Sequence, residues 1–193
     1  MADYATPDAP LDSPTTPPQI DKAHFIKLGV LAGMIYLTVL VVLYLVDRKL
    51  LLNPGLDLLI ANVFYWVVII KAISDYKRQN NFTLSIGEGL KAGLLAGIFV
   101  ALAYHLFMFV LFNYVDPSMI EVQVEVMMEL VDSVASFVGN EGMDDNMQEE
   151  LERAIDETGA TGYPIGAVVT GLASSLFWIL IISLIVSAIK KTR

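Results

Sequence analysis

Charged residues are spaced unevenly along this chain. Leu28 to Val46 carries none, Ala92 to Val115 carries none, and Thr158 to Ile189 again carries none. A bilayer core of about 30 Å needs ~20 apolar helical residues, so each run predicts a transmembrane helix. A fourth run, Leu58 to Ile70, is shorter and lies between Asp57 and Lys71. On a helix these two charges are about 21 Å apart. Both would sit roughly one turn inside a ~30 Å core, within snorkelling reach of the interface. Pro54 and Gly55 give a start signal and Ser74 to Arg78 a polar exit. The pattern therefore predicts an all-α membrane protein with four spans, at about 24–46, 55–76, 88–115 and 163–189. Together these form one membrane domain, 23–193, carrying an extramembrane insertion at 116–162.

The insertion has a different rhythm. "IEVQVEV" alternates as a strand would, while "MMELVDSVASFV" is helical in character. Its length, and the lack of a turn signal before Gly139, favour a helix over 118–138. It is not a fifth span: Glu121, Glu125, Glu129 and Asp132 near a bilayer centre would together cost on the order of 10 kcal/mol. After "GNEGMDD", Asp145 and Gln148 resemble a capping box, and Met147, Leu151 and Ile155 recur as one helical stripe. An acidic helical hairpin or elbow follows from this. Asp116–Pro117 ends the third span and suits a helix start.

Charge adds an orientation. The net charge is −9, and Asp116 to Gly162 holds thirteen acidic residues against one basic residue, Arg153. Four spans place the N-terminus, the Lys71–Lys91 connection and the C-terminus on one side. That side carries Lys22, Lys27, Lys71, Lys77, Arg78, Lys91, Lys190, Lys191 and Arg193; the other has Arg48, Lys49 and Arg153. The positive-inside rule predicts cytoplasmic termini in a bacterial inner membrane, with 116–162 periplasmic. Residues 1–22 hold five of the eight prolines and no apolar period, which predicts a disordered cytoplasmic tail. Without a basic n-region, the first helix is expected to be an uncleaved span. Cysteine is absent, so disulfide and thiolate chemistry are excluded.

The glycines of "SIGEGLKAGLLAGIFVAL", Ser85 to Leu102, raise the question of a phosphate loop. Such a loop needs G-x-x-x-x-G-K-[ST], and a dinucleotide fingerprint needs G-x-G-x-x-G after a strand. Neither spacing is present. At 100° per residue, Gly89, Ala92, Gly93, Ala96, Gly97 and Ala103 share a face, the small-residue stripe that lets helices approach closely in lipid. Gly29 and Gly33 in the first span, and Gly166 and Gly171 in the fourth, form similar stripes. Spans one, three and four are thus expected to pack tightly, with span two more peripheral. "KLGVLAG" (Lys27 to Gly33) also echoes "KAGLLAG" (Lys91 to Gly97), which suggests two parallel-repeat hairpins.

Candidate polar residues within the membrane are His105, Asn62 and Asn113. For each, an interhelical hydrogen bond is favoured over a substrate path. Lys27 and Lys91 are candidate contacts to anionic lipid head groups. Met119, Met127, Met147 and Leu151 are the candidate partner surface of the outer segment, methionine being adaptable at interfaces. Asp144, Asp145, Asn146, Glu149 and Glu150 lack the EF-hand spacing and read as a solvated acidic surface. No nucleophile–base set, two-histidine metal motif or paired membrane carboxylates stand out. The expectation is therefore a protein that is not an enzyme, with no cofactor and no nucleic-acid partner. Membrane lipids, a protein at the outer acidic loop, and a second copy of the chain are the expected partners. The leading function is an accessory or assembly role in the cell envelope; the alternative is a small homo-oligomeric transporter or channel.

Tyr76–Lys77 followed by "LSIGEGLKAG", the "DP" after span three, "GMDDNMQEELERA" and the terminal "ISLIVSAIKK" resemble, in that order, the bacterial domain-of-unknown-function family 4199. The resemblance runs from about Phe25 to Lys191. It implies a small four-span inner-membrane protein with a charged helical segment between spans three and four, and no established activity.

Overall fold

A computed structural model describes residues 22–138, 153 and 163–191. Its helices are α1 (Lys22–Val46), α2 (Arg48–Leu52), α3 (Pro54–Gln79), α4 (Ile86–Val110), α5 (Met119–Val138) and α6 (Ile165–Lys190). A π-helical turn, Leu111–Val115, extends α4. Four of these helices, α1, α3, α4 with its extension and α6, are long and apolar enough to cross a membrane. Their outward sides match that role: Met34 is 64 % exposed, Val67 64 % and Val169 62 %. Exposed apolar area on this scale is a lipid- or partner-facing surface.

Local chemistry sets the helix starts. The Asn53 side chain accepts from the Leu56 amide at 3.0 Å, and Pro54 occupies the first turn of α3. Ser85 and Glu88 form a reciprocal capping box at α4, with the Ser85 amide donating to Glu88 at 2.9 Å. The S-x-x-E signal for this start is visible in the sequence, one turn before the glycine stripe. Two departures from expectation lie at helix ends. Asp47 accepts from the Lys49 amide at 2.8 Å and turns the expected connection into α2. At the other end α3 runs on through Gln79, past the polar exit expected near Tyr76.

The bundle is organised around α4, which packs against α1, α3 and α6, while α1 and α6 share no contact among the described residues. The antiparallel seam between α4 and α6 meshes every four residues. Gly89 lies against Ser187, Gly93 against Ser183, Gly97 against Ile179, and Gly171 against His105. A Cβ at Gly97 would fall 2.7 Å from Ile179 Cγ2. At Gly93 it would collide with the Ser183 side chain and come within 3.2 Å of Ile69 Cγ2 on α3. The parallel seam of α1 and α4 is as close: Gly29 rests on the Ala96 carbonyl, and a Cβ at Gly33 would lie 2.8 Å from the Phe99 carbonyl oxygen. The two echoing segments thus pack against each other within one chain.

Two packing expectations need correction. A Cβ added at Gly166 would meet nothing within 4 Å, because this residue lies in the first turn of α6, beyond the seam. The α3 helix is not peripheral; it touches α1, α4 and α6, and its half from Tyr65 to Tyr76 holds its buried residues. Bulky Ile69 and Ile73 fill the space above the α4 glycines, so α3 packs through large side chains where the others pack through small ones.

At the lysine-rich end, Lys71 and His24 meet the buried Asp75 at 2.6 and 3.0 Å. Lys77 donates to the Lys190 carbonyl at 2.9 Å, and Lys190 donates to Ser74. At the opposite end, α5 is helical, as its length suggests, and is tied to α2. Lys49 bridges Glu125 at 2.7 Å and Glu129 at 2.8 Å, and Arg48 meets Asp116 at 3.2 Å.

Candidate functional site

Asp57 stands in the first turn of α3, where the helix N-terminus favours a negative charge by about 0.3–1 kcal/mol. It is half-buried. Its carboxylate turns inward: Tyr104 of α4 donates to one oxygen at 3.0 Å, and Tyr36 of α1 reaches the other at 3.5 Å. The two phenol rings stack with centroids 6.0 Å apart, and Tyr36 is fully buried, with Phe64 4.8 Å away. Three helices therefore converge on one carboxylate. Among the described residues no basic side chain pairs with it.

Cavities lie on both sides of this group. One, of about 360 Å³, is lined by Tyr36, Tyr65, Asn62, His105, Ser175 and Trp178 together with Asp57 and Tyr104. The other, of about 300 Å³, lies beneath α5, against Met127, Val126, Leu130, Gln123 and Tyr163. Pro54, Asp57 and Tyr104 border both. Each is at the small end of ligand-pocket sizes.

His105 sits at the wall of the larger cavity. It is buried, its Nε2 shares a 3.0 Å hydrogen bond with Ser175 Oγ, and its ring lies against Gly171, so close that a side chain there would collide with it. Its Nδ1 has no well-formed hydrogen bond among the described residues. The expected interhelical bond is thus made by His105. Asn113 makes one connection of that kind too, donating to the Tyr163 carbonyl at 3.0 Å ahead of α6 as well as to Phe109 at 2.8 Å. Asn62 does not: its amide donates to Leu58 in its own helix at 2.7 Å, which satisfies the donor locally while the side chain lines the cavity.

Lys27 and Lys91 are both exposed. Lys91 lines a cleft of about 280 Å³ with Lys22, Phe25, Tyr76 and Glu88, and Lys27 does not. Of the candidate partner surface, Met119 is fully buried, anchoring the start of α5, and Met127 lines the smaller cavity. This corrects the expectation for Met119, whose place beside the Asp116 turn puts it inside. Met147, Leu151, the Asp145 cap and the acidic cluster around Asp144 lie outside the described residues. Among the described residues no three His, Cys, Asp or Glu side chains group to hold a metal.

Electrostatics outside the spans centres on Asp116 and Lys49. The Ser118 hydroxyl, then the Tyr44 phenol and Arg48, hold Asp116 below the usual carboxylate range against the opposing pull of burial. Hydrogen bonds to Glu125 and Glu129 push Lys49 upward.

Asp57 is the residue that sequence reasoning missed, because its position reads as a snorkelling boundary charge. The usable signal is a carboxylate at the mouth of an apolar run, with tyrosines at 36, 65 and 104 on three predicted spans.

A four-helix bundle with a lipid-type surface, a glycine-spaced central helix and an embedded carboxylate defines a small polytopic membrane protein. The chain belongs to the family described as "Protein of unknown function (DUF4199)", which matches residues 27–192. No curated protein and no solved structure matches it.

Proposed function

We propose that this protein acts without catalysis, as an accessory or assembly partner in the bacterial inner membrane. In this reading the termini are cytoplasmic and the acidic segment 116–162 meets a basic surface of another envelope protein. The observation that carries the reading is the clamp of α5. Lys49 and Arg48 bind Glu125, Glu129 and Asp116, which fixes the base of the segment against the bundle. Its exposed residues Glu121, Met128 and Leu130 are left for a partner. Thirteen acidic residues against one basic residue over Asp116–Gly162 make that partner surface basic. The proposal includes an origin as two parallel-repeat hairpins, supported by the K-x-G-x-L-A-G echo.

Crosslinking with mass spectrometry on intact membranes tests it. Reproducible links from 119–157 to one heterologous protein, through lysines of that protein, are expected. Links only between copies of this chain would overturn it and favour a homo-oligomeric transporter. One observation gives that second reading its standing: Asp57 borders cavities on two sides.

A further inference from the structure

The charges at the α2 end are already committed. Arg48 is held by Asp116, and Lys49 by Glu125 and Glu129. Among the described residues Asp57 has only phenol donors, and its two cavities are walled largely by aromatic and aliphatic side chains. A carboxylate facing aromatic rings is the arrangement that recognises an organic ammonium: the anion supplies charge, and the ring faces supply cation–π attraction. Tyr65 and Trp178 line the larger cavity with Asp57, while Tyr36 and Tyr104 stack on each other and reach Asp57 through their hydroxyls.

Other ligand classes fit less well. A hard metal cation takes six or more oxygen ligands, and here a single carboxylate is surrounded by phenols that already donate to it. An anion would meet Asp57. A neutral apolar ligand would leave the carboxylate unpaired. We propose that the chamber between α3, α4 and α6 binds a small organic ammonium, its cationic head at Asp57 and its apolar body toward Trp178. Leu58, Ser174 and Trp178 are exposed at the rim, so the chamber opens sideways between α3 and α6, toward the lipid-type surface. The inference concerns binding alone and stands whether or not 116–162 has a protein partner. The ammonium is either the head group of a lipid or a free amine that enters from the bilayer.

The test uses the full chain in nanodiscs of phosphatidylglycerol, which carries no ammonium. A Trp66→Phe background leaves Trp178 as the single tryptophan reporter. Titration with benzyltrimethylammonium should change Trp178 fluorescence saturably. Its neutral isostere, neopentylbenzene, should bind at least ten-fold more weakly. Asp57→Asn should weaken ammonium binding ten-fold or more, and Tyr104→Phe by a smaller factor. Phosphatidylethanolamine in the disc that competes with the probe identifies a lipid head group as the source; no competition identifies a free amine. Equal affinity for the charged and neutral probes in the unsubstituted chamber would overturn the proposal, and needs no variant to fold. Unchanged ammonium affinity in Asp57→Asn would overturn it independently.

Discussion

Single residues in this bundle are decided by distance. Gly93 and Gly97 have no room for a side chain, and Gly166 has nothing beside it. Overpacking a tight site costs typically about 1–3 kcal/mol. Gly93→Leu and Gly97→Leu should therefore lower the thermal midpoint in detergent by several degrees or abolish recovery, while Gly166→Ala should leave it unchanged or slightly raised. A Gly166 substitution as costly as one at Gly93 would refute the seam. Ser183 and Ser187 pose a sharper test. Both are fully buried, and both hydroxyls lack a hydrogen-bond partner among the described residues. An unsatisfied buried hydroxyl costs about 1–3 kcal/mol, so removing it without changing the Cβ should not hurt. Ser183→Ala is expected to be neutral or stabilising in the same melting assay. A loss of more than about 1 kcal/mol would show that the hydroxyl has a partner. The glycine stripe was legible because small residues every four positions have one physical use in an apolar helix. The inward turn of Asp57 was not, because a boundary carboxylate snorkels or buries according to which donors the other helices bring to it.

Among the elements, α5 is the one whose placement depends on charge. Asp116 is held below its ordinary value, so its contribution to docking is complete above the ordinary aspartate pKa of about 3.9 and is lost as pH falls through the lowered value. Lys49 is raised, so its contribution is complete below about 10.4 and is lost only as pH climbs through its raised value. Docking should be constant between those limits. A nitroxide on Ser133→Cys, an exposed α5 position in a chain without cysteine, reports it. Label mobility should stay flat down to about pH 4 and rise only as pH falls below about 3.9, through the lowered value of Asp116. It should also rise in Lys49→Ala at neutral pH, and at high salt, because these ion pairs are exposed and screened. Mobility unchanged by all three would mean that apolar contact, such as that of buried Met119, holds α5 alone. The helical state of α5 could be read from its length, whereas its dock on α2 could not. A five-residue helix between two spans gives almost no periodic signal, and the Asp47 cap that starts it is a single residue.

At the scale of the whole molecule, composition carried the architecture. Three long uncharged runs and one short one became the four long helices, since spanning a bilayer demands the same length and apolarity wherever it occurs. Relative placement needed the structure. Sequence stripes pointed to α1, α4 and α6 as a tight group, yet α1 and α6 do not meet among the described residues, and α3 closes the bundle with isoleucines that no small-residue pattern marks. The binding chamber arises from that arrangement, because Asp57, Tyr36, Tyr104 and Trp178 come from four separate helices. The partner surface takes its meaning from the side on which the α2 end lies. Cysteine labelling settles it directly. With a membrane-impermeant maleimide on cells whose outer membrane is permeabilised, Gly142→Cys should label at once and Thr192→Cys only after the inner membrane is opened. The reverse order, with Thr192→Cys labelling first, would contradict the orientation on which the proposed partner rests.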